Sequence, residues 1–141
     1  LLRQRLSSLA FDILSNLSAC IIACYILKIA IGRARPEWAS LGFAPFAMSN
    51  FHYSMPSSHS AIAMVVALSV GDKHPRWKGI AIGLALIAAT SRILLLRHFL
   101  SDVLLGILIA LLIHNELFKW GFAQRIRMAV LMVISRGQKN G

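Results

Sequence analysis

The sequence is poor in acidic residues, with five Asp and Glu against fifteen Lys and Arg in 141 residues, and its formal net charge is +10. Charged residues make up only 14% of the chain, whereas soluble domains carry roughly a quarter. This scarcity of charge, beside 57% hydrophobic residues, excludes an ordinary soluble domain and predicts a membrane protein. The basic residues flank or interrupt apolar runs and form no polar stripe, so we expect no nucleic-acid partner.

Cysteine is also scarce, and the two that occur, Cys20 and Cys24, lie four residues apart in an apolar run. That spacing places them on one helix face but is not the spacing of a metal site, so they are predicted to be packing residues. No His, Cys and Asp cluster has metal-ligand spacing, and a second acid for a two-metal site is absent nearby. We therefore predict neither a metal nor another cofactor.

Four apolar runs are candidate membrane helices, at about 9–31, 58–71, 79–96 and 99–118. The first and last reach the roughly 20 residues that a span needs, and the other two are shorter. The sequence therefore predicts an all-α, integral-membrane helical bundle with about four transmembrane helices. Residues 32–56 hold several Gly, Pro and aromatic residues, which predicts an extracytoplasmic loop at the lipid–water interface.

Positive charges predict the orientation, because cytoplasmic loops are rich in Lys and Arg. The turn at 72–78 and the segment at 119–141 are both basic, and we expect 119–141 to be a cytoplasmic tail. The connections at 72–78 and near 97–99 are short, which favours a bacterial inner membrane. The long loop at 32–56 then faces the periplasm or exterior.

A second set of ionisable residues falls at the opposite, non-cytoplasmic ends of the predicted spans: Lys28, Arg33, Arg35, His59, Arg92, Arg97, His98 and Asp102. Such departures from a local pattern tend to be functional. Cations from three segments, at positions 28, 35 and 92, would repel one another unless they share a polyanion, and a phosphoryl group suits Arg forks. The alternative is that each long side chain extends to water from a helix end.

His98 and Asp102 are spaced i, i+4, which places them on one helix face. A carboxylate there can fix the imidazole tautomer and leave the other ring nitrogen as a nucleophile or base. The alternative is a helix-capping His with an acidic neighbour.

The stretch "MPSSHS", 55–60, predicts a helix start. Free N–H groups at a helix N-terminus can receive phosphate, and His59 in the first turn could protonate a leaving oxygen. The alternative is an ordinary cap followed by a chance His.

Three segments resemble the motifs of the type 2 phosphatidic acid phosphatase (PAP2) superfamily, and its membrane lipid phosphatase branch in particular. Those motifs are Lys, six residues, Arg-Pro; then Pro-Ser-Gly-His; then Ser-Arg, five residues, His, three residues, Asp. This sequence has "KIAIGRARP" (28–36), "PSSH" (56–59) and "SRILLLRHFLSD" (91–102) in the same order. Members usually have six spans, so the resemblance implies a PAP2-like domain over 1–141 that lacks the first helices.

The resemblance also implies roles for individual residues. His98 would attack phosphorus and form a phosphohistidine, Asp102 would orient it, and His59 would protonate the leaving group. The phosphate would be held by Lys28, Arg35, Ser57, Ser58 and Arg92. Residues around the site would be Ser91, Arg33 and Arg97. Ser58 stands where the family has Gly, which lets backbone approach a ligand closely, so we expect this departure to bear on phosphate geometry and rate rather than on the type of reaction.

The favoured function is a metal-independent phosphatase acting on a lipid phosphomonoester or pyrophosphate. Phosphatidic acid, phosphatidylglycerol phosphate, undecaprenyl pyrophosphate and lipid A-type phosphates all fit as substrates, with the bilayer as the other partner. A phosphotransferase with the same site, or a non-catalytic protein that binds lipid phosphates, is the alternative. The sequence leaves the oligomeric state open.

Overall fold

The computed structural model describes residues 2–43 and 52–119. Four α-helices run through them: α1 (Leu2–Ile31), α2 (Ser58–Lys73), α3 (Lys78–Leu94) and α4 (Leu100–Lys119). Two 3₁₀ turns, Pro36–Leu41 and Pro75–Trp77, interrupt the connections. The described residues form isolated β-bridges but no strand, so the predicted all-α class is confirmed. The predicted tail beyond Lys119, and residues 44–51 of the predicted loop, lie outside the described residues.

Local signals fix both ends of α2. Ser57 is its N-cap, and the Ser57 Oγ accepts from the backbone N–H of Ser60 at 3.5 Å and from the Ser60 hydroxyl at 2.9 Å. Hydroxyl side chains favour this position because they satisfy helix groups that lack an intrahelical partner. At the other end Pro75 follows His74 and begins a 3₁₀ turn, since proline cannot donate the hydrogen bond that would continue the helix.

Helix α2 lies at the centre of the bundle and packs against α1, α3 and α4. Cys20 and Cys24 of α1 are fully buried against it and are free thiols, as their spacing predicted. Many core residues are small, and small side chains let membrane helices approach closely. The core comprises Cys20, Cys24, Ala61, Met64, Val65, Ala67, Leu68, Ala85, Ile109 and Ala110.

The outer faces of the helices are apolar, which suits lipid rather than water. Within the described residues, two segments are long and apolar enough to cross a membrane, Ile13–Ile31 with mean hydropathy 1.9 and Pro75–Leu94 with 1.4. Leu100–Asn115 is a shorter apolar helix. Large apolar side chains are exposed on these elements, among them Leu14, Ile22, Ile26, Leu84, Ile87, Leu104 and Leu112. These features indicate a membrane protein, and the four predicted spans fall on α1, α2, α3 and α4.

Polar contacts join the helices at the end that carries the basic turn. The Asp72 carboxylate accepts from His114 Nε2 at 2.8 Å and pairs with Lys78 Nζ at 3.4 Å. One helix turn further in, Asn16 Nδ2 donates to Ser69 Oγ at 3.3 Å. These contacts connect α2 to α1, α3 and α4.

At the opposite end, α4 lies directly against the start of α2. The backbone N–H of Ser57 donates to the carbonyl of Asp102 at 2.9 Å. A Cβ added to Gly106 would meet the Ser57 carbonyl oxygen and would lie 3.4 Å from the Ala61 nitrogen. Because those atoms are backbone, they cannot move aside as a flexible side chain can, and only glycine allows this approach.

This close approach predicts opposite outcomes for two Gly→Ala substitutions. Gly106→Ala should destabilise the fold by about 1–3 kcal/mol, the usual cost of overpacking. Gly83→Ala is the control, because a Cβ there meets nothing within 4 Å and alanine is the better helix former, by up to about 1 kcal/mol. Thermal unfolding in detergent should give a lower Tm for Gly106→Ala and an unchanged or higher Tm for Gly83→Ala. Equal shifts would contradict the packing described.

Candidate active site

The chain after α1 turns at Gly32, whose φ is +64°, and continues as a short extended segment that carries Arg33 and Arg35. The Arg35 N–H donates to the His52 carbonyl at 3.0 Å, and the Ser54 N–H donates to the Arg33 carbonyl at 2.8 Å. The two arginines are therefore fixed to the segment that leads into α2.

Lys28 and Arg35 are oriented by the same backbone. Lys28 Nζ donates to the carbonyls of Tyr53 and Ser54 at 3.2 and 3.3 Å, and Arg35 Nε donates to the Tyr53 carbonyl at 3.4 Å. A shared acceptor holds two cations close together, although like charges repel. Each cation keeps further N–H groups for a ligand.

A cavity of about 310 Å³ opens beside these cations and brings together residues from all three sequence motifs. It is lined by Ile21, Tyr25, Lys28, Arg35, Ser58, His59 and His98. Five of the predicted site residues thus share one cavity. Among the described residues, its lining holds two cations and two imidazoles and no carboxylate, so its charge favours an anion.

Arg92 adds positive charge from the last turn of α3. Its Nε is buried without a hydrogen-bond partner among the described residues. Burial lowers the pKa of Arg35, the positive charge of Arg97 lowers it further, Glu37 opposes the shift, and Arg92 adds to it. Guanidinium groups nevertheless remain charged in proteins, so the repulsion among these groups is a cost that a bound anion would offset.

The junction between α3 and α4 sets His98 relative to Arg92. Leu96 adopts the left-handed conformation with φ +54°, which is costly for a residue with a Cβ. The turn that results lets the Arg92 carbonyl accept from the N–H groups of both Arg97 and His98, at 3.1 and 3.2 Å. The phosphate-binding candidate and the nucleophile candidate are therefore joined by backbone hydrogen bonds.

His98 and Asp102 face each other at the start of α4, but the predicted hydrogen bond between them is not formed. His98 Nδ1 lies 3.7 Å from Asp102 Oδ2, beyond the usual hydrogen-bond distance. Both side chains are buried, Asp102 completely. Its Oδ2 accepts from the Phe99 N–H at 2.8 Å and its Oδ1 from Arg33 Nη1 at 3.0 Å. The carboxylate is thus held in place by Arg33 and Phe99.

Six of the eleven predicted site residues do not line the cavity. Three of them, Arg33, Arg92 and Asp102, adjoin the lining through the contacts described above, and the other three are Ser57, Ser91 and Arg97. Ser57 is fully buried, and its hydroxyl and N–H bond to Ser60 and to the Asp102 carbonyl. The Ser91 hydroxyl donates to the carbonyl of Ala88 within α3. Arg97 pairs with exposed Glu37 at 2.7 Å. The contacts of Ser57 therefore hold the start of α2 against α4.

Sequence reasoning missed Ile21 and Tyr25 as cavity residues. They precede Lys28 by seven and three positions, and residues at these spacings share a helix face. The spacing was visible in the sequence, but an apolar residue in a membrane helix gives no signal of its own.

Comparison with known proteins agrees with the three motifs. The model of the PAP2 superfamily matches residues 9–126. A lipid A 1-phosphatase of Rhizobium johnstonii is 33% identical over 86 residues, covering 58% of this chain and 35% of that protein. One from Rhizobium etli is 31% identical over 86 residues, covering 58% of this chain and 37% of that protein. The matched segment thus spans little more than a third of these relatives' length. No solved structure gives a significant match.

The cavity predicts binding of inorganic phosphate that depends on Arg35. A charge-assisted hydrogen bond contributes about 1.5–3 kcal/mol, so Arg35→Gln should weaken phosphate binding by about 10- to 100-fold. Lys78→Gln removes a cation from an exposed ion pair at the other end of the bundle and should leave the affinity unchanged. Calorimetric titration of both variants in detergent measures the difference. An unchanged Kd for Arg35→Gln would contradict this assignment.

Proposed function

The chain belongs to the PAP2 superfamily, and from that premise we propose that it is an integral-membrane phosphatase that removes a phosphoryl group from a lipid. The observation that carries the proposal is the composition of the cavity. Its lining combines two cations and two imidazoles with the side chains of Ile21 and Tyr25. Such a lining suits a ligand that is anionic at one end and hydrocarbon at the other.

Phosphate binding falls to Lys28, Arg35 and Arg92. Their positive charges oppose the negative charge that the transferring phosphoryl group spreads over its oxygens, and stabilisation of that charge is most of what a phosphoryl-transfer site must supply. Ser58 lines the cavity in the first turn of α2, where helix N–H groups favour an anion. Side chains therefore supply the charge that metal ions supply in many phosphatases.

His98 is the nucleophile in this proposal, and His59 is the general acid and then the general base. Nε2 of His98 attacks phosphorus, a P–N bond forms, and the P–O bond to the lipid breaks. His59 gives a proton to the departing oxygen, as a general acid. Water then attacks the phosphohistidine, its proton passes to His59, and inorganic phosphate leaves. Nδ1 of His98 keeps its proton throughout and faces Asp102, which stabilises the positive ring.

The helix faces support a lipid as the leaving group. Ile21 and Tyr25 are about half exposed on a membrane helix, so a hydrocarbon chain can lie against them while its phosphate reaches Lys28. The relatives named lipid A 1-phosphatase favour a lipid A-type 1-phosphate as substrate. Phosphatidic acid, phosphatidylglycerol phosphate and undecaprenyl pyrophosphate are the comparison substrates.

The distribution of charge supports an orientation. Lys73, Arg76 and Lys78 lie around the α2–α3 turn, at the end of the bundle away from the cavity. Since basic turns stay in the cytoplasm, the cavity would open on the periplasmic face of a bacterial inner membrane.

Phosphate release should proceed in EDTA and should be abolished by His98→Ala. The reason is that the nucleophile is a side chain and the charge comes from Lys and Arg. The control is His74→Ala, which removes an exposed imidazole at the far turn and should keep wild-type activity. Release is measured in detergent micelles on the four lipid phosphates. Phosphate release by His98→Ala would contradict the proposed mechanism. Release that requires a divalent metal would contradict its metal independence.

Tyr25→Ala should impair long-chain substrates selectively. Loss of contact with the hydrocarbon should raise KM about fivefold for a long-chain lipid phosphate, in line with burial of part of an aromatic side chain. KM for a soluble aryl phosphate should stay the same. Ile26→Ala is the matched control, because Ile26 is also exposed on α1 but does not line the cavity. An equal effect of Tyr25→Ala on both substrates would argue against a hydrocarbon contact.

A further inference from the structure

The side chain of Arg33 contacts three residues at the start of α4. Its Nη1 donates to Asp102 Oδ1 at 3.0 Å and to Ser101 Oγ at 2.6 Å. Its guanidinium carbon lies 4.1 Å from the centroid of the Phe99 ring, within the range of a cation–π interaction. The three partners belong to residues 99–102, immediately after His98 in the sequence.

The backbone of Arg33 is fixed as firmly as its side chain. Its carbonyl accepts from the N–H of Ser54 at 2.8 Å and from the Ser54 hydroxyl at 3.2 Å. On the other side, the Gly32 N–H donates to the Lys28 carbonyl at 2.9 Å and ties the segment to α1. Arg33 is thus a bridge between the three segments that form the cavity, although the cavity lining does not include it.

The partner of this bridge is a carboxylate with no access to solvent. A buried charge is costly unless it is paired and hydrogen-bonded, and removing one partner of such a pair leaves the other charge uncompensated. An ionised carboxylate has about four acceptor positions. Arg33 occupies one on Oδ1 and the Phe99 N–H one on Oδ2, which leaves Oδ2 able to accept a second bond on the side of His98.

We propose that Arg33 is the positioning residue of this site: by holding Oδ1 of Asp102, it keeps Oδ2 directed at Nδ1 of His98. The inference rests on the proposed function, in which His98 attacks phosphorus. When the P–N bond forms at Nε2, the ring becomes positive and its Nδ1–H is drawn to the carboxylate. A shift of less than 1 Å closes the 3.7 Å gap to hydrogen-bond distance. The proton remains on Nδ1, and Asp102 remains ionised.

Two variants test this role, Arg33→Gln and Arg33→Lys. Lys28, Arg35 and Arg92 are intact in both, so each variant should bind one inorganic phosphate per protein with a Kd within about threefold of wild type, since the lost charge is partly screened. Single-turnover formation of phosphohistidine should be about 10- to 100-fold slower in Arg33→Gln, the usual effect of losing a partner that orients a reacting group. Arg33→Lys should recover part of the rate, because its ammonium can still donate to Oδ1. Lys78→Gln is the control for loss of a cation and should change neither quantity.

A double-mutant cycle tests the ion pair without any catalysis. Thermal unfolding of Arg33→Gln, Asp102→Asn and the double variant should give non-additive changes in Tm, because residues in direct contact are energetically coupled. The double variant should lose less than the sum of the single variants, since neither partner is then left charged and buried.

The possible results separate this proposal from the proposed function. A wild-type protein that forms no phosphohistidine would overturn both. A wild-type protein that forms it, with Arg33→Gln reacting at the wild-type rate, would overturn this proposal alone. A third result would also overturn this proposal. If Arg33→Gln binds less phosphate per protein in proportion to its lower rate, and Arg33→Lys recovers neither quantity, Arg33 has a purely structural role.

Discussion

The buried carboxylate of Asp102 is the group on which the arrangement of the site depends. Its side chain accepts from Arg33, in the segment after α1, and from the Phe99 N–H at the start of α4. Its backbone carbonyl accepts from the N–H of Ser57, the residue that caps α2. One residue therefore joins three elements through directed hydrogen bonds, and because Asp102 is fully buried, each of these bonds is stronger and costlier to lose.

The concentration of positive charge around the cavity works against stability. The positive charges of Lys28, Arg35 and Arg92 repel one another. Backbone carbonyls, not carboxylates, accept the hydrogen bonds described above for the Lys28 and Arg35 side chains. Neutral carbonyls orient a cation without cancelling its charge. The cations therefore stay available to an anion, which is consistent with a site whose ligand supplies the missing negative charge.

Close packing in the rest of the bundle supports the end that carries the cavity. Small residues along α2 and its neighbours let the helices approach, and Gly106 allows α4 to lie directly on the start of α2. The polar contacts around Asp72 join the helices at the other end. With both ends fixed, the side chains that three distant motifs contribute can meet at one cavity, as membership of the PAP2 superfamily leads one to expect.

The sequence determined the helices well, because hydropathy reports which segments prefer lipid. The runs predicted at about 58–71 and 99–118 correspond to Ser58–Lys73 and Leu100–Lys119. Two helices extend differently from the predicted apolar runs, for physical reasons. Helix α1 begins at Leu2 rather than near residue 9, because its first turns are polar and polar residues also form helices. Helix α3 ends at Leu94 rather than at 96, because hydropathy does not register the left-handed Leu96.

For the site, the sequence by itself determined the residue types and the motif spacing that predict one shared phosphate site. Lys28, Arg35, His59 and His98 do lie together. Only the tertiary structure decided what Asp102 bonds to, since its partner Arg33 is 69 residues away in sequence. Likewise, only the structure brought Ile21 and Tyr25 to the cavity. The physical reason is that local spacing fixes which side chains share a helix face, whereas partners on different helices are chosen by how the helices pack.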